Sequence, residues 1–429
     1  MFKYIKILLS LILFSYILPN MAIADDILTW QDCIKEAAKN HPDLISAKEA
    51  VKESEASKKI TASTLYPQVT GNAEVSTAKT STTTSGTTTN KTSNDYTYGA
   101  TASQLIFDGF KTIENVKAAS ENIKAAQYDY VFTSSEVRQR LRTAFIALLK
   151  AQDSLNITQD IYNIRRSDFE LISLRYQSGV EHKGALLNAD ANLDEAVFEI
   201  NQAKRSVVVA QTQLLKEMGN AQFRPIHVKG DYKIKIDILE QPDFEKLAKN
   251  NPSLEKLVAQ KNAASFGIKA AQANYFPQIS AQAGANKDSS HWPPDNNQWN
   301  AGLALSIPVF EGGLRTAEVA QAKAIFNQAQ ANEQSIKDGL LLALEQTWTA
   351  LQDAAETVSV QKKFLDSAQE RANIAEAQYS LGLLQFDNWT IIEDNLVNAK
   401  KSFLNSQANA LVTEANWIQA KGETLEYEK

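Results

Sequence analysis

The sequence predicts a mixed, internally duplicated fold in which four β-strands per chain lead into long antiparallel helices of the coiled-coil type. The main observation is a strand-to-helix corner that occurs twice, as Phe107-Asp108-Gly109 and as Phe310-Glu311-Gly312, at an offset of 203 residues. In each corner a hydrophobic residue ends the strand, an acid precedes the helix, where its charge is favourable, and glycine permits the turn. Two such corners indicate two copies of one structural unit.

Other segments repeat in the same order. Residues 38–44 and 248–254 are identical at five of seven positions, and their prolines are typical of helix starts. A Tyr-Pro-Gln triplet at 66–68 and a Phe-Pro-Gln triplet at 276–278 precede the predicted strands. Glycines in the patterns Tyr176-x-x-Gly179 and Tyr379-x-x-Gly382 predict the turns at the far tips of two helical hairpins.

The segments after these triplets alternate with a period of two. Apolar residues from Trp299 to Val309 alternate with small or polar ones, and Val69 to Val75 show the same pattern. Strands of about ten residues, apolar on one face and polar on the other, are typical of a transmembrane β-barrel. A soluble hairpin packed on one face has the same pattern. The polar stretches at 80–94 and 286–297 are predicted to be exposed hairpin loops.

A single long helix is predicted after the first corner. Residues 110–176 contain no proline or glycine, and apolar positions recur at alternating spacings of three and four. Sixty-seven residues at about 1.5 Å each make a rod of about 100 Å. No compact globular domain requires a helix of that length.

The N-terminus is typical of a secretory signal peptide, predicted to cover residues 1–24. Two lysines precede an apolar stretch, and Ala22-Ile23-Ala24 forms a cleavage site. The first repeat is predicted at 25–222, with a β-hairpin at about 67–107 and a helical hairpin at about 109–218.

A linker at 223–242 is predicted to separate the repeats. Alternation from Val228 to Ile238 predicts one short strand in it, at the waist of the helical rods. The second repeat is predicted at 243–429, with its β-hairpin at about 277–310 and its helical hairpin at about 312–421.

Composition and motifs offer no basis for an enzyme, a cofactor or a metal site. The net charge is −6, one cysteine is present, and the four histidines match no metal-ligand pattern. No phosphate-binding or nucleophile motif occurs. The pair Glu393-Asp394 is interpreted as a solvated helix face rather than as acid–base machinery.

Four membrane strands cannot close a barrel, because the smallest known barrel has eight. Open strand edges are not tolerated in a bilayer, so copies of the chain must assemble. With the helices continuing from the strands, the assembly would be a passive duct in the outer membrane of a Gram-negative bacterium, extending into the periplasm.

The order and spacing of these repeats resemble the TolC family of outer-membrane efflux and export proteins over nearly the whole mature sequence. The resemblance implies a homotrimer with a twelve-stranded barrel and a periplasmic helical barrel. It also implies a periplasmic adaptor and an inner-membrane pump or ABC-type exporter as partners, in a tripartite efflux pump or a type I secretion system.

The resemblance further implies a periplasmic gate at the helix tips. Tyr379 matches a tyrosine that the family uses there, but the family's acid ring is matched only approximately. The candidate gate residues are Tyr379, Phe386, Asp387, Asn388, Trp389, Glu393 and Asp394. Phe386 and Trp389 have two interpretations, as a hydrophobic plug of the duct or as packing between helices.

Two other architectures share some of these features. A periplasmic adaptor also has a signal peptide and a helical hairpin, but one hairpin rather than two. A filament or scaffold protein without a pore would be extracted without detergent. The sequence does not distinguish drugs, metals and proteins as the cargo.

Overall fold

The computed structural model describes residues 26–220, 222–234 and 240–427. The predicted signal peptide lies outside the described residues. The elements are, in chain order, β1 (Asp26–Leu28), α1 (Trp30–Asn40), α2 (Pro42–Ser63), β2 (Gln68–Thr84), β3 (Thr87–Phe107), α3 (Lys111–Gln177), α4 (Lys183–Glu217), β4 (Ile226–Val228), α5 (Phe244–Lys249), α6 (Pro252–Ala273), β5 (Gln278–Ser289), β6 (Asn296–Ser306), α7 (Leu314–Ser380) and α8 (Phe386–Ala420), followed by a 3₁₀ turn at Leu425–Tyr427.

Helices in corresponding positions have equal lengths. Helices α2 and α6 have 22 residues each, α3 and α7 have 67, and α4 and α8 have 35. Glycines of positive φ follow the C-terminal ends of α3, α4, α7 and α8. Glycine adopts the left-handed conformation that ends a helix at little cost. These glycines are Gly179, Gly219, Gly382 and Gly422.

One antiparallel sheet contains four strands of different lengths in the order β2-β3-β5-β6. The apolar side chains of β6 alternate as expected and are exposed, with Trp299 at 81% and Leu303 at 77%. Strands β2 and β6 each have one unpaired edge.

The predicted loop at 80–94 is wrong. Strands β2 and β3 remain paired from Gln68↔Ser103 to Thr84↔Thr87, so only Ser85 and Gly86 form the turn. Hydroxyl and amide side chains pair across this polar ribbon, as Thr77 Oγ1 does with Asn94 Oδ1 at 3.0 Å. The second loop is also shorter than predicted, because β5 extends to Ser289 and β6 begins at Asn296.

The described residues form two compact units, and the first comprises those at 26–41, 140–220, 222–234 and 353–412. It contains parts of α3, α7 and α8, and the whole of α4 and of the parallel pair β1–β4. Gln152 of α3 holds β4 through two hydrogen bonds of 2.9 Å, donating Nε2 to the Val228 carbonyl and accepting from the Val228 N–H.

The predicted linker strand is placed differently in the structure. The strand comprises Ile226–Val228, and residues 229–234 have no regular structure. The remaining alternating positions, Ile236 and Ile238, lie outside the described residues. Alternation alone did not locate the strand, because its pairing depends on β1 and on Gln152, both distant in sequence.

The second unit comprises the described residues at 42–139, 240–352 and 413–427. It contains the four-stranded sheet, α2, α6 and the sheet-proximal parts of α3 and α7. Trp417 is 1% exposed and packs on Trp348 at a ring-centroid distance of 5.1 Å. Asn251 caps α6 with its side-chain oxygen and donates Nδ2 to the Ala420 carbonyl at 2.9 Å.

None of the described helices is both long enough and apolar enough to cross a lipid bilayer.

Candidate functional site

The helix tips of the first unit contain most of the candidate residues. One tip joins α3 to α4 and the other joins α7 to α8. Gly179 and Gly382 have φ values of +73° and +75°, and a Cβ at either position would have no heavy atom within 4 Å. These glycines are required for their backbone conformation and not for close packing.

An aromatic cluster lies at the start of α8. The rings of Tyr379 and Trp389 stack at a centroid distance of 4.4 Å and an angle of 8°, and Phe386 meets both rings. All three side chains are at most 5% exposed and pack against Ile172, Ala185 and other apolar side chains of the first unit. This burial within the chain favours packing between helices over a hydrophobic plug as the role of Phe386 and Trp389.

Tyr379 connects the two tips through its hydroxyl group. Its Oη donates to Glu181 Oε2 at 2.9 Å, and the Arg175 guanidinium lies 4.7 Å from its ring centroid. Burial, followed by the hydrogen bond to Glu181, raises the pKa of the Tyr379 hydroxyl above its usual value. Tyr379 thus makes three contacts: its neutral hydroxyl donates to Glu181, and its ring accepts a cation–π contact from Arg175 and stacks on Trp389.

A charged cluster lies next to the aromatic one. Arg165 of α3 donates Nη2 to Asp394 of α8, and its Nη1 lies 3.8 Å from Asp168 Oδ2. Glu393 is 7% exposed, so the prediction of a solvated face is wrong for it, although the Asp394 side chain is 51% exposed. Burial is the main cause that raises the pKa of Glu393.

The position of Glu393 follows from helix periodicity. The buried residues of α8 at this end recur at spacings of three and four, and they are Phe386, Trp389, Glu393 and Leu396. Arg165 and Ile172 of α3 are both buried and lie seven residues apart, as Phe386 and Glu393 do on α8. The predicted site did not include Arg165, Asp168, Arg175 or Glu181. The available signal for the first three was a charged residue at a seam position of α3, whereas Glu181 lies in the tip loop.

The other candidate tip residues are exposed. Asp387 and Asn388 lie in the first turn of α8, on the face opposite to the buried stripe. They belong to the same turn as Phe386 and Trp389.

The two strand-to-helix corners differ in their contacts. Asp108 Oδ2 accepts from the Thr112 N–H at 2.9 Å, as an acid at a helix start is expected to do. Glu311 instead accepts from the Arg315 guanidinium through both of its oxygens, at 2.5 and 2.8 Å. Phe310 is 88% exposed, whereas Phe107 is partly buried and packs on Phe110.

Asp168 makes the stability of the tips depend on pH. Burial, followed by the charge of Glu393, raises the pKa of Asp168 to about 7 from 3.8. Because the folded value exceeds the unfolded one, this group contributes most to stability below about pH 4, and the contribution is lost as the pH rises toward 7. Asp168→Asn should therefore stabilise the protein at pH 8 by about 1–2 kcal/mol and have little effect at pH 4.

Thermal unfolding of detergent-solubilised protein between pH 4 and pH 8 measures this effect. Asp366→Asn is the matched control, because its side chain is 61% exposed and pairs with Lys362 of the same helix. A variant of Asp168 that is less stable than the wild type at pH 8 would show that the ion pair with Arg165 outweighs the burial of the charge.

Comparisons with known proteins agree with this architecture. The model of the outer membrane efflux protein family matches residues 33–220 and 244–423. The outer membrane efflux protein BepC of Brucella suis is 23% identical over 428 residues, which cover 97% of this chain and 86% of that protein.

Solved structures show the same fold at low sequence identity. A crystal structure of CusC has a TM-score of 0.81 at 20% identity and covers 91% of both chains. The outer membrane protein VceC of Vibrio cholerae has a TM-score of 0.76 at 19% identity, with 92% of this chain and 96% of that chain covered.

Proposed function

This chain belongs to the outer membrane efflux protein family, and we propose that three copies of it form the exit duct of a tripartite efflux pump or a type I secretion system. The family match confirms the predicted resemblance and the location in the outer membrane. Proteins of this family are transport ducts rather than enzymes. The duct would carry substrates passively from an inner-membrane transporter to the exterior.

The observation that carries the proposal is the four-stranded sheet with exposed apolar side chains and two open edges. A β-structure can cross a bilayer only if it is closed, because unpaired backbone groups are costly in hydrocarbon. Four strands per chain are too few for a barrel, and three copies supply twelve. The resemblance to the TolC family supports three copies rather than two or four.

An internal duplication underlies the proposed architecture. The equal lengths of corresponding helices, the repeated corners and the two separate ranges matched by the family model support it. In the duct, the long helices of both repeats would form the periplasmic barrel, in continuation of the strands.

The proposed partners are a periplasmic adaptor and an inner-membrane pump or ABC-type exporter. The helix tips are the proposed periplasmic end, with Tyr379, Glu181 and Arg175 holding the two tips of each chain together. The exposed Asp387 and Asn388 are the proposed lining of the opening. The transporter, rather than the duct, would select the cargo.

Single-channel recording in planar bilayers tests the duct. Purified protein is expected to give discrete, cation-preferring conductance steps, and Asp387→Asn is expected to lower the cation preference about two-fold, because it removes one negative charge per copy from the opening. Asp366→Asn removes an exposed charge from α7 and should leave the preference unchanged. Protein that stays folded without detergent and never conducts would support the adaptor or scaffold alternative.

A further inference from the structure

The two hairpins of the four-stranded sheet differ in length. Strand β3 pairs with β5 as far as Tyr96↔Ser289. Beyond this point β2 and β3 continue as a two-stranded hairpin of nine residue pairs, formed by residues 76–84 and 87–95. At about 3.4 Å for each residue, this projecting hairpin extends about 30 Å past the point where pairing with β5 ends.

Aromatic side chains lie at the base of the projecting hairpin. Trp292 is 68% exposed, and its ring centroid lies 6.3 Å from that of Tyr96 and 6.2 Å from that of Tyr98. Toward the helices, the sheet face of these tyrosines carries exposed apolar side chains, among them Trp299 and Leu303. Aromatic rings concentrate at the boundary between the hydrocarbon and the headgroups of a membrane. In the proposed duct, the projecting hairpin therefore begins at the outer surface of the lipid.

The charges of the four strands are divided between the two faces of the sheet. The three acids share one face, and they are Glu74, Asp95 and Asp288. Lys79 and Lys287 lie on the face of Tyr98, whereas Lys91 lies with the acids. The face of Tyr98 is here called the lipid face, because its apolar part would meet lipid in the duct. In the strands that the structure describes, the lipid face thus carries two cations and no acid.

The lipid face of the projecting hairpin is a ladder of paired polar side chains. Thr77 Oγ1 donates to Asn94 Oδ1 at 3.0 Å, and Ser81 Oγ donates to Asn90 Oδ1. Because both asparagines accept through their oxygens, their Nδ2 groups can donate to an external acceptor. The exposed Lys79 lies between the two pairs. Together these donors favour a ligand that is rich in acceptor oxygens and negatively charged.

The composition of this face fits a carbohydrate better than a protein. Its eight side chains on the projecting hairpin are threonine, serine, asparagine or lysine. The core of a protein interface is apolar and rich in aromatic residues, and this face has neither property. A hairpin of two strands is also only marginally stable in water, so contacts with a surrounding layer would help to hold it.

We propose that the lipid face of the projecting hairpin binds the phosphate-bearing sugars of lipopolysaccharide, with Lys79 and the Nδ2 groups of Asn90 and Asn94 as donors. The proposal rests on the proposed duct, because the duct sets which face meets lipid and at what height. The sugars of lipopolysaccharide lie directly above the lipid of the outer leaflet, at the height of this hairpin. Their binding would hold the outer end of the duct in the sugar layer.

Hydrogen exchange of peptides from 76–95 tests the ligand. In vesicles that contain lipopolysaccharide, these amides should exchange at least ten-fold more slowly than in phosphatidylglycerol vesicles of equal charge density. Equal rates in the two kinds of vesicle would overturn the proposal, because the sugars would then add nothing to an anionic lipid surface. Slow exchange in native outer-membrane fragments but in neither kind of vesicle would indicate a protein partner and would also overturn it.

Charge reversals on the two faces provide matched variants. Lys79→Glu should reduce the ten-fold slowing to less than two-fold, because it replaces the central cation of the ladder by an anion. Lys91→Glu is the control, since it makes the same change on the other face of the same hairpin and should leave the slowing intact. Equal losses in both variants would show attraction to the overall charge rather than binding to the lipid face.

A second pair of variants tests the asparagine donors. Asn90→Asp combined with Asn94→Asp keeps the accepting oxygens of the ladder but removes both Nδ2 groups, so the slowing should again fall below two-fold. Thr89→Asp combined with Ser93→Asp is the control, because it adds two charges at the same spacing on the other face. Full slowing in the asparagine variant would exclude these amides as donors and overturn the assignment.

Single-channel recording of the same preparations separates this proposal from the duct itself. Protein that conducts, but whose residues 76–95 exchange equally fast with and without lipopolysaccharide, would overturn the sugar binding alone. Protein that never conducts and whose strands β5 and β6 exchange rapidly in every vesicle would overturn the proposed duct.

Discussion

Trp389→Ala is expected to destabilise the helix tips by about 3–5 kcal/mol, the usual cost of truncating a buried tryptophan. Trp389 is 4% exposed and supplies one half of the stacked pair with Tyr379. Its removal would leave a cavity among Ile172, Ala189 and Phe386. The effect should be local, because the sheet belongs to the other compact unit.

Hydrogen exchange of peptides from the two tips and from the sheet measures this prediction. Tip amides should exchange 100-fold faster or more, while sheet amides keep the wild-type rate. Leu383→Ala is the control, because Leu383 lies at the same helix tip, just before α8, and is 75% exposed. Its truncation should change the free energy of unfolding by less than about 0.5 kcal/mol. Unchanged tip exchange in the Trp389 variant would mean that the tips are held by the charged cluster instead.

Gly219→Ala is expected to lower the free energy of unfolding by about 3 kcal/mol or more, because the new side chain has two separate costs. Gly219 has a φ of +74°, which costs a non-glycine residue about 1–2 kcal/mol. A Cβ on it would also lie 2.4 Å from the Asn40 carbonyl oxygen, a backbone atom that can move only with the end of α1. The two costs add because one concerns the local conformation and the other a contact with a distant segment.

Gly179→Ala separates the two costs. Gly179 has nearly the same φ, +73°, but a Cβ there would meet nothing within 4 Å. We expect this control to lose only the conformational part, about 1–2 kcal/mol. Thermal unfolding in detergent and the yield of membrane-inserted protein measure both variants. An equal loss in both would show that the contact with Asn40 relaxes without cost.

Local sequence chemistry was sufficient to predict which kinds of element the chain contains. Proline at helix starts, glycine at helix ends and a spacing of three and four are properties of a few neighbouring residues, so they can be read without a structure. The order of the repeats also sufficed to predict the family, which the family match confirms. The polar ribbon at 80–94 was less predictable, because strand pairing there depends on its partner strand and not on an apolar pattern.

The sequence by itself therefore determined the repeats, the corners and the glycine turns, because each depends on backbone conformation within a few residues. Only the tertiary structure decided which side chains meet at the helix tips. Glu393 is of a charged residue type that is usually exposed to solvent. It is nevertheless buried beside Arg165 and Asp168, which are more than two hundred residues away in sequence. The burial of a charge depends on the neighbouring helix, and no local pattern encodes that neighbour's identity.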